Sequence, residues 1–342
     1  CADPDVDVQS TVEAITAPGV QISVCQFNEL GEDTHDANDY LQVHGGEALA
    51  TALRGARQIE DVISDEAQER WTWPTPFAWV DPADIPPRRW IYGDSLIRSY
   101  VSLDAAPGGV GKTSTLIVEA LAIATGRELL GEAVHESCNV WLVNLEDPHE
   151  ELMRRVAAAC MHYKIGQDDI AGRMYLDAGR DTQMIFARNQ GGEVVVDDLL
   201  VEYMSNKIAE NNIGVVVIDP WVSATEVAEN DNVAMGAAIS AVRRVADATD
   251  CAIKLVHHTR KSNGAEADVD SVRGASSMIG AARTARVFNR VSAEEAMKLG
   301  VKEAESIGIF RVDDAKNNLA LPSTKATYRR MIGQKLPSGE YV

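Results

Sequence analysis

Ala106-Pro107-Gly108-Gly109-Val110-Gly111-Lys112-Thr113-Ser114 decides how this chain is read. The stretch follows an apolar run, Tyr100, Val101 and Leu103, with the pattern of a strand. It precedes Leu116 to Ala124, an Ala/Leu/Ile/Val run with the pattern of a helix. A glycine-rich turn between a strand and a helix is the context of a phosphate-binding loop. The glycines let successive backbone N–H groups turn inward around phosphate oxygens, and the helix N-terminus adds positive potential. Lys112 is expected to reach the outer phosphates, and the Thr113 hydroxyl to hold Mg²⁺. Ala106 stands where such loops usually begin with Gly. A bland glycine-rich turn is the competing reading, and the Gly-Lys-Thr ending in this setting argues against it.

Working outward, three more strand-like runs end in polar residues. Val215-Val216-Val217-Ile218-Asp219 closes on a carboxylate, which in a nucleotide-binding sheet lies beside the phosphate loop and holds Mg²⁺ directly or through water. Val140-Trp141-Leu142-Val143-Asn144-Leu145 leads into Glu146-Asp147-Pro148. A carboxylate at that edge can orient and deprotonate water attacking a γ-phosphate. The alternative is that Glu146 or Asp147 caps the helix starting near His149. Leu255-Val256-His257-His258 ends in paired imidazoles. Neighbours on a strand face opposite ways, which argues against a shared metal. One His is expected to sense a γ-phosphate, and the other to be a satisfied structural residue.

Composition bounds the rest. The 342 residues suit one large or two modest domains, and 45% apolar content suffices for a sizeable core. The net charge of −20, from 32 Lys plus Arg against 52 Asp plus Glu, excludes a protein that coats duplex DNA electrostatically. It leaves room for a local basic channel, for which Lys254, Arg260 and Lys261 are the candidates. Five scattered Cys without metal spacing fit a reducing cytoplasm. No apolar run is long enough to span a bilayer. A start at Cys1 rather than Met suggests a piece of a longer chain.

Along the chain, residues 1–70 form an acidic segment, with 15 Asp/Glu against 3 Arg. Residues 71–94 follow as a Trp/Pro-rich linker or strap, with four of the six Trp at 71, 73, 79 and 90. Plain packing explains these rings better than base stacking, because only Arg88 and Arg89 are near them. From 95 to 332 strands and helices alternate. Strands are expected at Tyr100–Ala105, Asn139–Leu145, Met174–Leu176, Val215–Asp219, Ala252–His257 and Ile307–Val312. The clearest helix is Asp231–Asp250, capped by Asp231 or Asn232. Continuous apolar strands predict a mostly parallel sheet buried on both faces. The polar loop 261–272 has little periodicity. Arg273 to Arg283, with Arg286 after it, is a small-residue run between basic ends, suited to close approach by a neighbouring subunit. Residues 333–342 read as a tail.

These segments together resemble the RepA-type hexameric replicative helicases of phages and plasmids, a branch of the RecA-like P-loop ATPases. The matching pieces are APGGVGKTS, NLEDP, VVVIDP, HHTRK, RGASS…AAR and Asp314-Ala315-Lys316-Asn317-Asn318, in the family order over roughly 88–330. The resemblance implies a RecA-like α/β core with a mostly parallel central sheet, ATP and Mg²⁺ as cofactors, single-stranded DNA as partner, and a homo-hexameric ring. It implies Glu146 as catalytic carboxylate, Asp219 as the Mg²⁺-associated acid, and His257 or His258 as γ-phosphate sensor. Arg155 then lies near the adenine. Arg283 is the arginine finger given to the next subunit, and Lys316 approaches a neighbour's nucleotide. Other roles for such an ATPase are recombination or repair, or an assembly switch without unwinding. Separately, Asp36-Ala37-Asn38-Asp39-Tyr40 with His44-Gly45 resembles the segment after a TOPRIM fold, implying that residues 1–60 are a primase-module tail.

Overall fold

The apolar runs flanking the phosphate loop become neighbours in one sheet. The computed structural model describes residues 75–179, 183–258, 276–302, 307–321 and 326–342, with residues 23–24, 46 and 57–58 besides. The chain divides into two units, Cys1–Pro86 and Pro87–Val342. In the first, Ser23–Val24 pairs antiparallel with Arg57–Gln58. Asp81 caps a single turn at Pro82–Asp84 by accepting from the Ala83 N–H, and Phe77 meets Trp79 edge to face. The rest of the acidic segment, the TOPRIM-like stretch and Trp71 and Trp73 included, lies outside the described residues.

The second unit begins with a short antiparallel pair, β1 (Trp90–Tyr92) and β2 (Leu96–Ile97). Then come β3 (Val101–Ala106), α1 (Lys112–Thr125), β4 (Asn139–Asn144), α2 (His149–Tyr163), α3 (Gln167–Ile170) and β5 (Met174–Ala178). A hairpin, β6 (Ala187–Gln190) with β7 (Glu193–Val196), leads to α4 (Asp198–Glu210), β8 (Ile213–Asp219), α5 (Asn232–Thr249) and β9 (Ala252–His258). The chain continues through α6 (Ser276–Ala281), β10 (Thr284–Arg290), α7 (Ala293–Lys298), β11 (Ile309–Asn317) and β12 (Thr327–Arg330).

Eight strands form one sheet in the order β12-β11-β10-β3-β9-β8-β4-β5. The six from β10 to β5 are parallel, and β11 and β12 extend the sheet antiparallel. Strand alternation divides the core in two. Val216 and Ile218 join Trp221, Phe186 and the inner face of α5 on one side. Val215 and Val217 join Leu116, Ile117 and Leu121 of α1 on the other. Both faces of β8 are therefore buried, which is why it reads as an unbroken apolar run. This is the expected mostly parallel RecA-like architecture. Asp231 caps α5, accepting from the N–H groups of Val233 and Ala234.

One central strand departs from the sequence reading. Residues 284–290, read as the end of a small-residue docking segment, are β10, hydrogen-bonded between β3 and β11. Arg286 and Asn289 are both buried there, and charge inside a central strand breaks the pattern that marks one. The strand expected from Ile307 instead runs Ile309–Asn317, carrying Lys316 at its end.

Candidate active site

The phosphate loop leaves β3 at Ala106 and closes on α1 at Lys112, at the C-terminal edge of the parallel strands, where such sheets bind ligands. Gly111 precedes α1 with φ 101°, left-handed backbone that glycine adopts without strain. A Cβ there would also meet the Met331 sulfur at 2.7 Å. Val110 is buried with Phe288, Phe310 and Val312 beneath the loop, while Pro107 is half-buried and Gly108 and Gly109 are exposed. On the loop's outer side the Arg290 guanidinium donates to the carbonyls of Gly108 and Gly109 at 3.2 and 3.4 Å.

Lys112 is buried and has no carboxylate within ion-pair distance. Its ammonium donates to the Ala106 carbonyl at 3.2 Å and sits 3.0 Å from His258 Nδ1. Burial lowers its pKa, against the opposing pull of Asp219 and Glu146. The Thr113 hydroxyl donates to Asp219 Oδ2 at 2.9 Å. Burial raises the Asp219 pKa, while the Thr113 bond and Lys112 work to lower it. A hydroxyl and one carboxylate are hard oxygen donors of the kind Mg²⁺ takes alongside water and phosphate oxygens. Among the described residues no cluster of three or more His, Cys, Asp or Glu forms a metal cage, and Mg²⁺ bound with a nucleotide needs none.

The two imidazoles separate as strand alternation requires. His258, opposite Ala106, sits between Lys112 and Glu146, with Nε2 3.7 Å from Glu146 Oε1. Burial first, and then Lys112, lowers its pKa. His257 points to the other face and is buried with Nδ1 unpaired. Burial lowers its pKa as well, with Glu229 opposing. His258 is thus the one brought into the phosphate site.

Neither carboxylate of the Glu146-Asp147 pair caps a helix, contrary to the alternative raised from sequence. Pro148 stands at the cap position of α2 without a side-chain bond. Asn144 Oδ1 instead accepts the N–H groups of Glu146 and Asp147, turning the chain sharply after β4. Asp147 pairs with Arg155 at 3.1 Å, and Arg155 also donates to Glu151. Glu146 faces His258 with its side chain 55% exposed, open to a water molecule. Arg155 and Ser114 line a cavity of about 140 Å³ beside the loop.

The remaining basic candidates fall elsewhere. The Arg283 N–H bonds to the Val101 carbonyl at the start of β3, which puts this exposed arginine at the sheet edge opposite the phosphate loop. Its guanidinium lies 6.0 Å from the Tyr100 ring centroid. Lys316 is at the same edge, donating to the carbonyls of Ile279 and Gly280. Partial burial, then Arg283 and Arg243, lowers its pKa. Lys254 does not line a channel. It is buried inside the sheet, 2.7 Å from Glu119 and 3.4 Å from Asp104. Arg260, Lys261 and the loop to 272 lie outside the described residues.

Sequence reasoning missed the network that Lys254 belongs to. Arg286 forms a bidentate pair with Asp104 at 2.9 and 2.6 Å and also binds Glu119, to which Arg329 donates at 3.0 Å. Burial alone would raise the Glu119 pKa, but Arg286, Lys254 and Arg329 hold it well below the carboxylate range. The network ties β3, α1, β9, β10 and β12 together beneath the phosphate loop. Its signal in the sequence is a lone charge inside an apolar run, at Asp104 and again at Glu119.

Comparison with known proteins bears on this geometry. A family model described as an AAA domain matches residues 66–264, a span that includes the loop, Glu146, Asp219 and both His. It begins after the TOPRIM-like stretch and ends before Arg283 and Lys316. Among solved structures, the ATPase domain of a helicase matches at 14% identity and a TM-score of 0.45, over 71% of this chain and 84% of that one. No curated protein matches significantly. Among the described residues no helix is long and apolar enough to cross a membrane. With more than half of its residues under the family model and an intact phosphate loop on a RecA-like sheet, the chain belongs to the AAA domain family of P-loop ATPases.

Proposed function

We propose that this chain is the ATP-hydrolysing motor of a ring-forming replicative helicase that acts on single-stranded DNA. Lys112 and the loop N–H groups hold the β- and γ-phosphates, and Thr113 and Asp219 hold Mg²⁺, which neutralises charge on those oxygens. Arg155 flanks the adenine. Glu146 orients and deprotonates the attacking water. His258, between Lys112 and Glu146, senses the γ-phosphate.

The observation that carries the ring is the position of Arg283. Along β3, Val101 to Ala106 spans roughly 16 Å at the usual rise of a strand, so an arginine bound at Val101 cannot reach its own phosphate loop. An exposed guanidinium there, with Lys316 beside it, suits the nucleotide held by another copy, where it stabilises the charge of the transition state.

One observation favours a different role. With Lys254 buried, the candidate channel is left with Arg260 and Lys261, and an ATP-controlled assembly switch needs no channel. ATP turnover measured with and without single-stranded DNA separates the two. Stimulation by DNA with displacement of a paired strand supports the helicase. Turnover indifferent to DNA supports the switch, and stimulation without displacement supports a recombination or repair ATPase.

A further inference from the structure

The cavity beside the phosphate loop has two walls of different origin. One wall is fixed. It opens at Ser114 and Thr115 in the first turn of α1, just past Lys112, and runs along Arg155 and Ala159 of α2. The other wall comes from the end of the described chain, at Met331, Ile332, Gln334 and Val342.

That end is an ordered hairpin. Gln334 and Val342 exchange backbone bonds at 2.8 and 3.0 Å, and Leu336 donates to Glu340 at 2.8 Å. Gly339 turns the chain with φ 96°. Lys335 stacks over the Tyr341 ring. The hairpin reaches the fixed wall through Glu340, 3.7 Å from Arg154 of α2. At its root the Met331 N–H bonds to the Gly308 carbonyl, and the Met331 side chain packs on Gly111 of the loop itself.

We propose that the hairpin 333–342 forms the second wall of a purine-base site, and sets how strongly the protein prefers a purine nucleoside triphosphate over bare polyphosphate. This rests on the reading of the phosphate loop as an ATP site. The chemistry suits a flat heteroaromatic base. Ala158, Ala159, Ile332 and Val342 offer apolar faces. The Gln334 side-chain amide has one bond, a long one of 3.3 Å to a neighbouring carbonyl. It therefore keeps a donor and an acceptor for the hydrogen-bonding edge of a base. In volume the cavity matches an enclosed site of about 150 Å³ that takes up a benzene ring, and it opens toward the phosphate loop, the side from which the ribose would enter.

The test is calorimetric titration of ATP and of inorganic tripolyphosphate, which carries no base. Three proteins are compared with the full chain: one ending at Gly333, Ala159→Trp, which fills the cavity from the fixed wall, and Lys112→Ala. The full chain should bind ATP at least about tenfold more tightly than tripolyphosphate, as expected where base contacts add to the phosphate contacts. The shortened chain and Ala159→Trp should lose most of that preference while binding tripolyphosphate as before. Lys112→Ala should weaken both ligands. An ATP preference unchanged in both the shortened chain and Ala159→Trp overturns the proposal and leaves the phosphate-loop reading standing. Tripolyphosphate binding that ignores Lys112→Ala overturns the phosphate-loop reading and this proposal with it. Should the shortened chain fail to fold, Ala159→Trp decides alone.

Discussion

Lys112 carries more of the account than any other side chain. It is buried beside a neutral imidazole and a carbonyl rather than a carboxylate, with its pKa lowered by burial. A polyphosphate would supply the negative charge that its surroundings lack. Lys112→Ala should abolish hydrolysis and weaken ATP binding together, because the ammonium meets charge present in both ground and transition states. Normal turnover in that variant would remove the phosphate-loop assignment. Glu146→Gln should behave differently: ATP binding persists while kcat falls by roughly 10²-fold or more, the scale of a lost general base. Asp147, already engaged by Arg155, is the control. If Asp147→Asn is inactive and Glu146→Gln is not, the base is the wrong carboxylate. The imidazoles give a pH signature. Both His257 and His258 are held below the usual 6.5, so between that value and the lowered ones the unfolded chain binds more protons. Their contribution to stability is complete above about 6.5 and is lost as pH falls through the lowered values. The melting temperature should therefore drop between pH 7 and 5.5, and less steeply in His257→Asn. Identical slopes would show that His257 is not the buried neutral group described.

At the scale of elements, β10 holds two arginines three residues apart with opposite fates. Arg286 is buried between Asp104 and Glu119, whereas Arg283 is exposed at the strand's start. Removing one partner of a buried ion pair costs about 3–5 kcal/mol. Arg286→Met should therefore lower chemical-denaturation stability on that scale, and Arg283→Ala should change it by less than about 0.5 kcal/mol. A stable Arg286→Met protein would show that the network does not hold β3, α1 and β10 together. The same contrast explains what the sequence disclosed. The parallel strands were legible because burial on both faces makes them continuous apolar runs. The loop, Asp219 and Glu146 were legible because their chemistry sits where those runs end. β10 was not, because Arg286 and Asn289 interrupt its apolar pattern, and their partners Asp104 and Glu119 lie 182 and 167 residues away from Arg286. Lys254 was misread as a channel residue for the same reason, since a sequence shows a charge without showing what it is paired with. The choice between His257 and His258 needed only the register of β9 against β3, which no single sequence prints.

At the scale of the whole molecule, the −20 charge and the buried Lys254 leave DNA contact to local cations, and the two halves of the catalytic apparatus stand at opposite edges of one sheet. The central claim is that a complete site takes Lys112 from one copy and Arg283 from the next. A finger of this kind is worth roughly 10³-fold or more in comparable enzymes, so Arg283→Ala should be nearly inactive while still binding ATP. The most direct measurement mixes two inactive proteins, Arg283→Ala and Lys112→Ala, under conditions where co-assembly is verified, and follows ATP turnover. In a mixed ring some interfaces join an intact Lys112 to an intact Arg283, and the account predicts that part of the wild-type rate returns. Verified mixed assemblies that remain as inactive as either parent would contradict it, confining Arg283 to its own chain.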